Sequence, residues 1–128
     1  MIPAEACDRI GAALAQYTFR VANEDQLQRH VCSALSDMDI GDLSREVRVN
    51  PRNRFDILVR FDDISVVLEL KVGGAASSVE RQAQRYAQIE SVDAVCVVTT
   101  CSRLARQLER SGRTLAGKPF RAMALRTM

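Results

Sequence analysis

The stretch RFDILVRFDDISVVLELKV, residues 54–72, decides the fold predicted for this chain of 128 residues. Two runs rich in β-branched and aromatic residues are separated only by Asp62 and Asp63, which is typical of two antiparallel strands joined by a short turn. Centring the turn on these aspartates predicts the following strand partners: Phe61 with Ile64, Val59 with Val66, Ile57 with Leu68, and Asp56 with Glu69.

Side chains alternate along a strand, so the predicted hairpin has two different faces. One face is apolar throughout and is the predicted core face: Phe55, Ile57, Val59, Phe61, Ile64, Val66, Leu68, Leu70 and Val72. The second face carries the remaining side chains: Asp56, Leu58, Arg60, Ser65, Val67, Glu69 and Lys71. This second face is either a partly solvated outer surface or a functional site.

Asp56 and Glu69 are predicted to face each other, with Cβ atoms about 4.5–5.5 Å apart. Like charges placed opposite each other destabilise a sheet, so a sequence selected only for folding would rarely keep them. A divalent cation removes this repulsion, since Mg²⁺ commonly takes one or two carboxylates and keeps water and phosphate as its other ligands. With Lys71 on the same face, the pattern favours a metal and phosphate site.

The rest of the sequence predicts an α/β fold in which a mixed sheet is flanked by helices, in the order α-α-β-β-β-α-β-α-β. Helices are predicted to begin at Pro3 and after the caps Asn23, Ser77 and Ser102. REVRVN and PFRAMAL predict further strands, and the continuous β-branched run DAVCVVTT is typical of a strand buried on both faces.

Length and composition predict one globular domain, residues 1–128, because hydrophobic residues make up 47 % and charged residues 27 % of the chain. No apolar run approaches the roughly 20 residues that span a bilayer. The N-terminus has no basic region before an apolar block, so we expect a cytosolic protein without a signal peptide. The four cysteines lack CxxC spacing and His30 is the only histidine, so neither a structural zinc nor a catalytic histidine is predicted.

Basic residues concentrate toward the C-terminus of the chain. Residues 1–101 carry 11 Lys and Arg against 15 Asp and Glu, whereas residues 102–128 carry 7 against 1. The basic segment is compatible with phosphate contacts, and equally with a solvated helix and strand edge.

The helix after the hairpin adds Gln82 and Tyr86, which lie four residues apart on its apolar stripe. An inward glutamine needs a hydrogen-bond partner or water, so Gln82 belongs either to a site or to a satisfied internal contact. Arg81 and Arg85 form a basic strip beside this pair and are either surface charges or contacts to a nucleic-acid backbone.

Glu24 lies on the apolar stripe of the helix that Asn23 caps. Acids in a first helical turn are stabilised by the helix dipole, which is the simpler explanation of its position. A contribution to the site is the alternative.

These residues in this order resemble the PD-(D/E)xK nuclease superfamily over roughly residues 23–100. The resemblance is carried by an acid in a helix (NEDQLQRHVCSAL), an aspartate opening a strand (RFDILV), E-x-K in the next strand (LELKV) and Q-x-x-x-Y in the following helix (RQAQRY). The last element resembles the RecB-type branch, and the small single domain is similar to Holliday-junction resolvases. The family pattern is incomplete: Phe55 stands where a proline often precedes the aspartate, and the basic and serine signature of the archaeal resolvases is absent.

The resemblance implies a restriction-endonuclease-like core, with four to five strands in a mixed sheet, and hydrolysis of DNA with Mg²⁺ or Mn²⁺. It implies that Asp56, Glu69 and the main-chain carbonyl of Leu70 hold the metal, with Glu24 completing the shell through water. The metal would lower the pKa of a bound water, and Lys71 would orient that water or neutralise the developing charge.

The resemblance also implies that Gln82 positions Lys71 or the phosphate and that Tyr86 packs beneath it or contacts the backbone. DNA contacts are expected from three arginines: Arg54, Arg81 and Arg85. Because a monomer of this size offers limited surface for gripping DNA, we expect a homodimeric endonuclease. Two alternatives stay open: a non-catalytic nucleic-acid-binding or protein-interaction module on the same fold, and an RNA-directed enzyme.

Overall fold

The predicted hairpin forms, with β2 (Asn53–Phe61) antiparallel to β3 (Ile64–Lys71), in a computed structural model that describes residues 1–128. The predicted partners Phe61–Ile64, Val59–Val66 and Ile57–Leu68 are confirmed. The predicted pairing of Asp56 with Glu69 is wrong, because the ladder between β2 and β3 ends at Ile57. Asp62 at the turn has a φ of 51°, a left-handed conformation in which aspartate is enriched.

Four more strands complete one mixed sheet: β1 (Asp42–Asn50), β4 (Ala94–Thr99), β5 (Thr114–Leu115) and β6 (Lys118–Ala124). The strand order is β1-β2-β3-β4-β6-β5, in which β3, β4 and β6 are parallel and the other pairs are antiparallel. The mixed sheet is confirmed, but its predicted size of four to five strands is corrected to six. The missing strand is β5, whose two residues are too few to show an alternating pattern.

Helices cover both faces of the sheet. α1 (Pro3–Leu14) and α2 (Glu24–Asp37) pack on one face, and α3 (Ala76–Ala87) and α4 (Ser102–Ser111) pack on the other. The connections β3–α3–β4 and β4–α4–β6 join parallel strands and run in the same direction along the sheet. Because such crossovers are almost always right-handed, both helices lie on the same face.

One of the three predicted side-chain caps is present. The Asn23 side chain accepts a hydrogen bond of 2.9 Å from the Gln26 N–H, as predicted for the start of α2. The predicted caps Ser77 and Ser102 are wrong, because α3 and α4 begin at earlier N-cap positions, Ala75 and Cys101, which make no side-chain cap. At α4 the Cys101 N–H is instead satisfied by the Thr99 hydroxyl at 3.0 Å.

Along β3 both faces of the hairpin are buried, whereas on β2 Arg60 of the second face is exposed. The second face is therefore covered over β3 and only partly solvated over β2. α1 and α2 pack against Leu68 and Leu70, and α3 and α4 pack against Val67. Glu69 lies on the α3 side and is only 3 % exposed. Val72, expected in the core, lies beyond the end of β3 and is 38 % exposed. As predicted, β4 is buried along its whole length.

Phe55 is on the opposite face from its predicted one. Its ring meets the Tyr86 ring edge-on, with centroids 5.0 Å apart, on the α3 side of the sheet. The pairing of β2 with β3 ends at Ile57, and Glu46, across from Asp56 on β1, has a φ of 53°. The β1–β2 pair therefore turns over at Asp56, and Phe55 and Ile57 face opposite sides.

The histidine and the cysteines have the surroundings expected of non-catalytic residues. His30 is exposed on α2, and Cys7 and Cys96 are buried free thiols. No helix of the chain has the length and apolar character needed to cross a membrane.

Gly41 is required where β1 begins. It has a φ of 61°, and a Cβ at this position would lie 2.7 Å from the Arg60 carbonyl oxygen. We expect Gly41→Ala to destabilise the fold by at least about 2 kcal/mol in urea denaturation, because a left-handed backbone and a main-chain clash combine. The matched change Gly11→Ala, inside α1 with ordinary contacts at 3.5 Å, should stabilise by about 0.5–1 kcal/mol. Equal effects of the two changes would contradict this assignment.

Candidate active site

The Asp56 carboxylate separates β2 from β3 at the point where their pairing ends. Its Oδ2 accepts a hydrogen bond of 2.8 Å from the Leu70 N–H. In a continued ladder, the register would have placed Phe55 opposite Leu70. A side chain therefore replaces the main-chain acceptor, which fixes the Asp56 carboxylate between the strands.

Glu69 is the buried partner in this site. Its Oε1 lies 3.3 Å from the Lys71 Nζ, whereas its Oε2 is buried without a hydrogen-bond partner. Burial and then the neighbouring Asp56 raise the pKa of Glu69 to about 8, and Lys71 offsets only part of their effect. Without a cation, Glu69 is therefore mostly protonated near neutral pH, and its contact with Lys71 joins an ammonium to a neutral carboxyl.

Tyr86 on α3 borders the carboxyl pair and holds β2 in place. Its hydroxyl donates a hydrogen bond of 2.9 Å to the Arg54 carbonyl and accepts one of 3.0 Å from the Gln82 Nε2. Burial, followed by the charges of Glu69 and Asp56, raises the pKa of Tyr86 to about 12. The hydroxyl thus stays protonated as a donor, and the Gln82 amide bonds to Tyr86 and not to Lys71.

Glu24 reaches the end of β3 from the α2 side. It is exposed on α2, and its Oε2 is 3.5 Å from the Val72 N–H just beyond β3. Since α2 packs on the face opposite Glu69, the two side chains approach the end of β3 from different sides. The protein contains no group of three or more His, Cys, Asp or Glu side chains that could hold a metal ion.

The three arginines predicted to contact DNA are all exposed. Arg54 follows the β1–β2 turn and pairs with Glu46 at 3.5 Å. Arg81 and Arg85 lie on the outer side of α3, and Arg81 makes a hydrogen bond of 3.4 Å to Ser78. The predicted arginines are therefore at the surface, with most of their donors free.

The residues present fit a hard divalent cation. Two carboxyl groups approach each other, and the buried Oε2 of Glu69 has no donor to satisfy it. Carboxylate and carbonyl oxygens are the ligands that Mg²⁺ and Mn²⁺ prefer. A cation at Asp56 and Glu69 would supply the missing positive charge, and the main-chain carbonyl of Leu70 is available beside them as a further oxygen of the predicted set.

Comparisons of the chain with models of protein families, with curated proteins and with solved structures found no match. The functional assignment therefore rests on the geometry and electrostatics of these side chains.

The raised pKa of Glu69 makes the stability of the metal-free protein pH-dependent. Between its ordinary pKa of 4.5 and about 8, the folded state retains a proton that the unfolded chain has released. The free energy of unfolding should therefore fall as the pH rises through this window, by at most about 1.4 kcal/mol per pH unit. Urea denaturation in EDTA at pH 5 to 9 measures this slope.

Glu69→Gln is the control for that pH dependence, because glutamine keeps the shape and does not titrate. The stability of this variant should exceed that of the wild type by a margin that grows with pH and levels off above about pH 8. A margin that is constant across the range would show that Glu69 titrates normally.

Removing the Tyr86 hydroxyl should release the strand that carries Asp56. Tyr86→Phe leaves the Arg54 carbonyl and the Gln82 amide without their partner, which we expect to cost about 1–2 kcal/mol in urea denaturation. Tyr17, the only other tyrosine, is the matched control, since no side-chain hydrogen bond involves its hydroxyl. Equal losses for Tyr17→Phe and Tyr86→Phe would refute a bridging role.

Proposed function

We propose that the protein is a metal-dependent nuclease that hydrolyses DNA phosphodiester bonds, built on the restriction-endonuclease-like core of the PD-(D/E)xK superfamily. The observation that carries the proposal is the carboxyl pair of Asp56 and Glu69, with Lys71 at 3.3 Å and a buried carboxyl oxygen that has no partner. A site selected only for stability has no use for such an arrangement, since the carboxyl pair and the buried unpartnered oxygen both cost folding free energy.

In this proposal Asp56 and Glu69 hold Mg²⁺ or Mn²⁺, with the Leu70 carbonyl as a further ligand and Glu24 acting through water. When bound, such an ion lowers the pKa of water and stabilises negative charge on phosphate. Lys71, with its side chain 21 % exposed, extends from the carboxyl pair toward the surface. Its ammonium orients the attacking water or neutralises charge developing on the phosphate.

Two of the proposed residues support the others. Gln82 and Tyr86 hold the β2 backbone at Arg54, and they thereby hold Asp56, two residues further along. Hydrogen bonds between neighbouring side chains that fix a ligand's orientation are a general feature of metal sites.

The exposed arginines support a polymeric substrate. One pocket lies between α1 and the end of β6, and Asp56, Glu69 and Lys71 do not line it. Small ligands are usually enclosed in a cavity. Three exposed arginines (Arg54, Arg81 and Arg85) suit a nucleic-acid backbone, which arginine binds through paired hydrogen bonds.

The proposal includes a homodimer acting as an endonuclease, because one small domain offers limited surface to DNA. We do not expect the two subunits to pair through the edge of β6, since the Ala122 N–H already donates a hydrogen bond of 3.1 Å to the Glu109 carboxylate. A side chain that occupies an edge N–H prevents another strand from pairing there.

A non-catalytic binding module is the second candidate, favoured by the absence of a third carboxylate beside the pair. Thermal denaturation separates the two candidates. A pure binding module gains no stability from Mg²⁺ or Mn²⁺, whereas a metal site is stabilised by its ion.

The nuclease proposal predicts metal-dependent cutting that requires Lys71 and Asp56. Purified protein should cleave labelled DNA in Mn²⁺ or Mg²⁺ and not in EDTA, and Lys71→Ala or Asp56→Ala should lower the rate by at least about 100-fold. Cleavage rates on single-stranded, duplex and branched DNA and on an RNA substrate, measured in parallel, identify the preferred polymer.

Lys118→Ala is the matched control, since Lys118 is the only other lysine and its Nζ bonds to the Ile89 carbonyl, away from the carboxyl pair. This variant should cut at the wild-type rate. No cleavage of any substrate, or cleavage unaffected by Lys71→Ala, would refute the nuclease proposal.

A further inference from the structure

The tip of the β1–β2 hairpin extends past the part of the sheet that β3 supports. We name residues 47–55, VRVNPRNRF, the hairpin arm. Pairing of β2 with β3 ends at Ile57, whereas β1 and β2 stay paired to Asn50 and Asn53. The arm carries three arginines and no acidic residue, so it is a two-stranded ribbon of net charge +3 at the side of the proposed site.

The hairpin arm is held at both ends. At its tip the Asn50 Oδ1 accepts hydrogen bonds from the main-chain N–H groups of Arg52, at 2.9 Å, and Asn53, at 3.0 Å. At its base the Phe55 ring packs against Tyr86. A ribbon ordered in this way loses little conformational entropy when it binds a partner.

The arginines of the arm point away from the protein. The pair Val47 and Phe55 packs on the α3 side, so the next pair, Arg48 and Arg54, faces the opposite side, and both are exposed. The Arg52 side chain is exposed at the tip. Each guanidinium has five N–H donors, and those of Arg48 and Arg54 are engaged only at the Pro51 carbonyl and the Glu46 carboxylate, respectively.

We infer that the hairpin arm enters the major groove of duplex DNA beside the carboxyl pair, an inference that rests on the proposed nuclease function and names its substrate as a DNA duplex. The major groove of B-DNA is about 12 Å wide and admits a two-stranded β-ribbon. The major groove of A-form RNA is deep and narrow and excludes it. Arg48, Arg52 and Arg54 contact phosphates or guanine edges along the groove. Because Asp56 directly follows the arm, the bound duplex lies next to the site.

The test is equilibrium binding, measured by fluorescence anisotropy in EDTA so that no cutting occurs. The probes are a duplex DNA of about 20 base pairs, long enough for two helical turns, and a duplex RNA of the same sequence. Arg52→Glu is the informative variant, since the Arg52 side chain has no partner in the arm whose removal could unfold it. Arg106→Glu, an exposed arginine on α4, makes the same change in charge elsewhere.

The wild type should bind duplex DNA more tightly than duplex RNA. Arg52→Glu should weaken duplex DNA binding at least about tenfold and reduce the slope of log K against log salt by about 0.9 for each phosphate that the variant no longer neutralises, with Arg106→Glu within about twofold of the wild type. Absence of DNA binding, equal binding of duplex RNA, no effect of Arg52→Glu, or equal weakening in both variants would each overturn the inference.

Failure of the arm and failure of the nuclease proposal give different results. A protein that cuts DNA through Lys71 but binds it independently of Arg52 refutes the role of the arm alone. A protein that binds duplex DNA through Arg52 and never cuts it refutes the nuclease proposal and leaves the arm as a duplex-binding element.

Discussion

The hydrogen bond from the Leu70 N–H to the Asp56 carboxylate is the interaction on which the site depends. It satisfies a strand N–H with a side chain, so β2 leaves β3 at this point without an unpaired buried donor. It also brings the Asp56 carboxylate beside Glu69. The hairpin arm ends at Phe55, one residue before Asp56. Over the arm, β1 and β2 pair only with each other, and α3 is the only other element that supports them.

Covering the second face of the hairpin makes the carboxyl pair electrostatically unfavourable. α3 removes water from Glu69, and Lys71 alone does not offset the combined effect of burial and the neighbouring Asp56. Strongly shifted carboxyl groups that combine burial with a like-charged neighbour are typical of functional sites. The carboxyl pair lowers the free energy of unfolding of the metal-free protein, and a bound cation would raise it again.

The sequence predicted the hairpin and its register from the turn to Ile57 and Leu68, because a period-two pattern interrupted only by Asp62-Asp63 leaves one consistent pairing. It also predicted that Glu69 and Lys71 share the face opposite Leu68, since alternation holds as long as strands stay paired. It did not predict the burial of that face, which depends on α3 and α4, elements whose packing is a long-range property. Only Leu58 and Val67 indicated a partly covered surface.

The remaining errors have local causes. Phe55 changed face because Glu46 takes a left-handed backbone conformation and Asp56 interrupts the ladder, and residue types alone do not indicate either event. Ser77 was predicted to cap α3, but the helix begins earlier, soon after Gly73 and Gly74, with Ala75 as its N-cap residue. The helix that carries Glu24 lies on the other face of the sheet from Glu69, which a linear pattern cannot reveal.

The most direct test of the metal site is a crystal structure determined in Mn²⁺, with anomalous diffraction to locate the ion. We expect one anomalous peak within bonding distance of oxygens of both Asp56 and Glu69, at about 2.0–2.2 Å as for other small divalent cations. The same crystal of Glu69→Gln should lose the peak. A wild-type structure with Mn²⁺ bound elsewhere, or with the carboxyl pair still joined to Lys71 and free of metal at saturating Mn²⁺, would contradict the account.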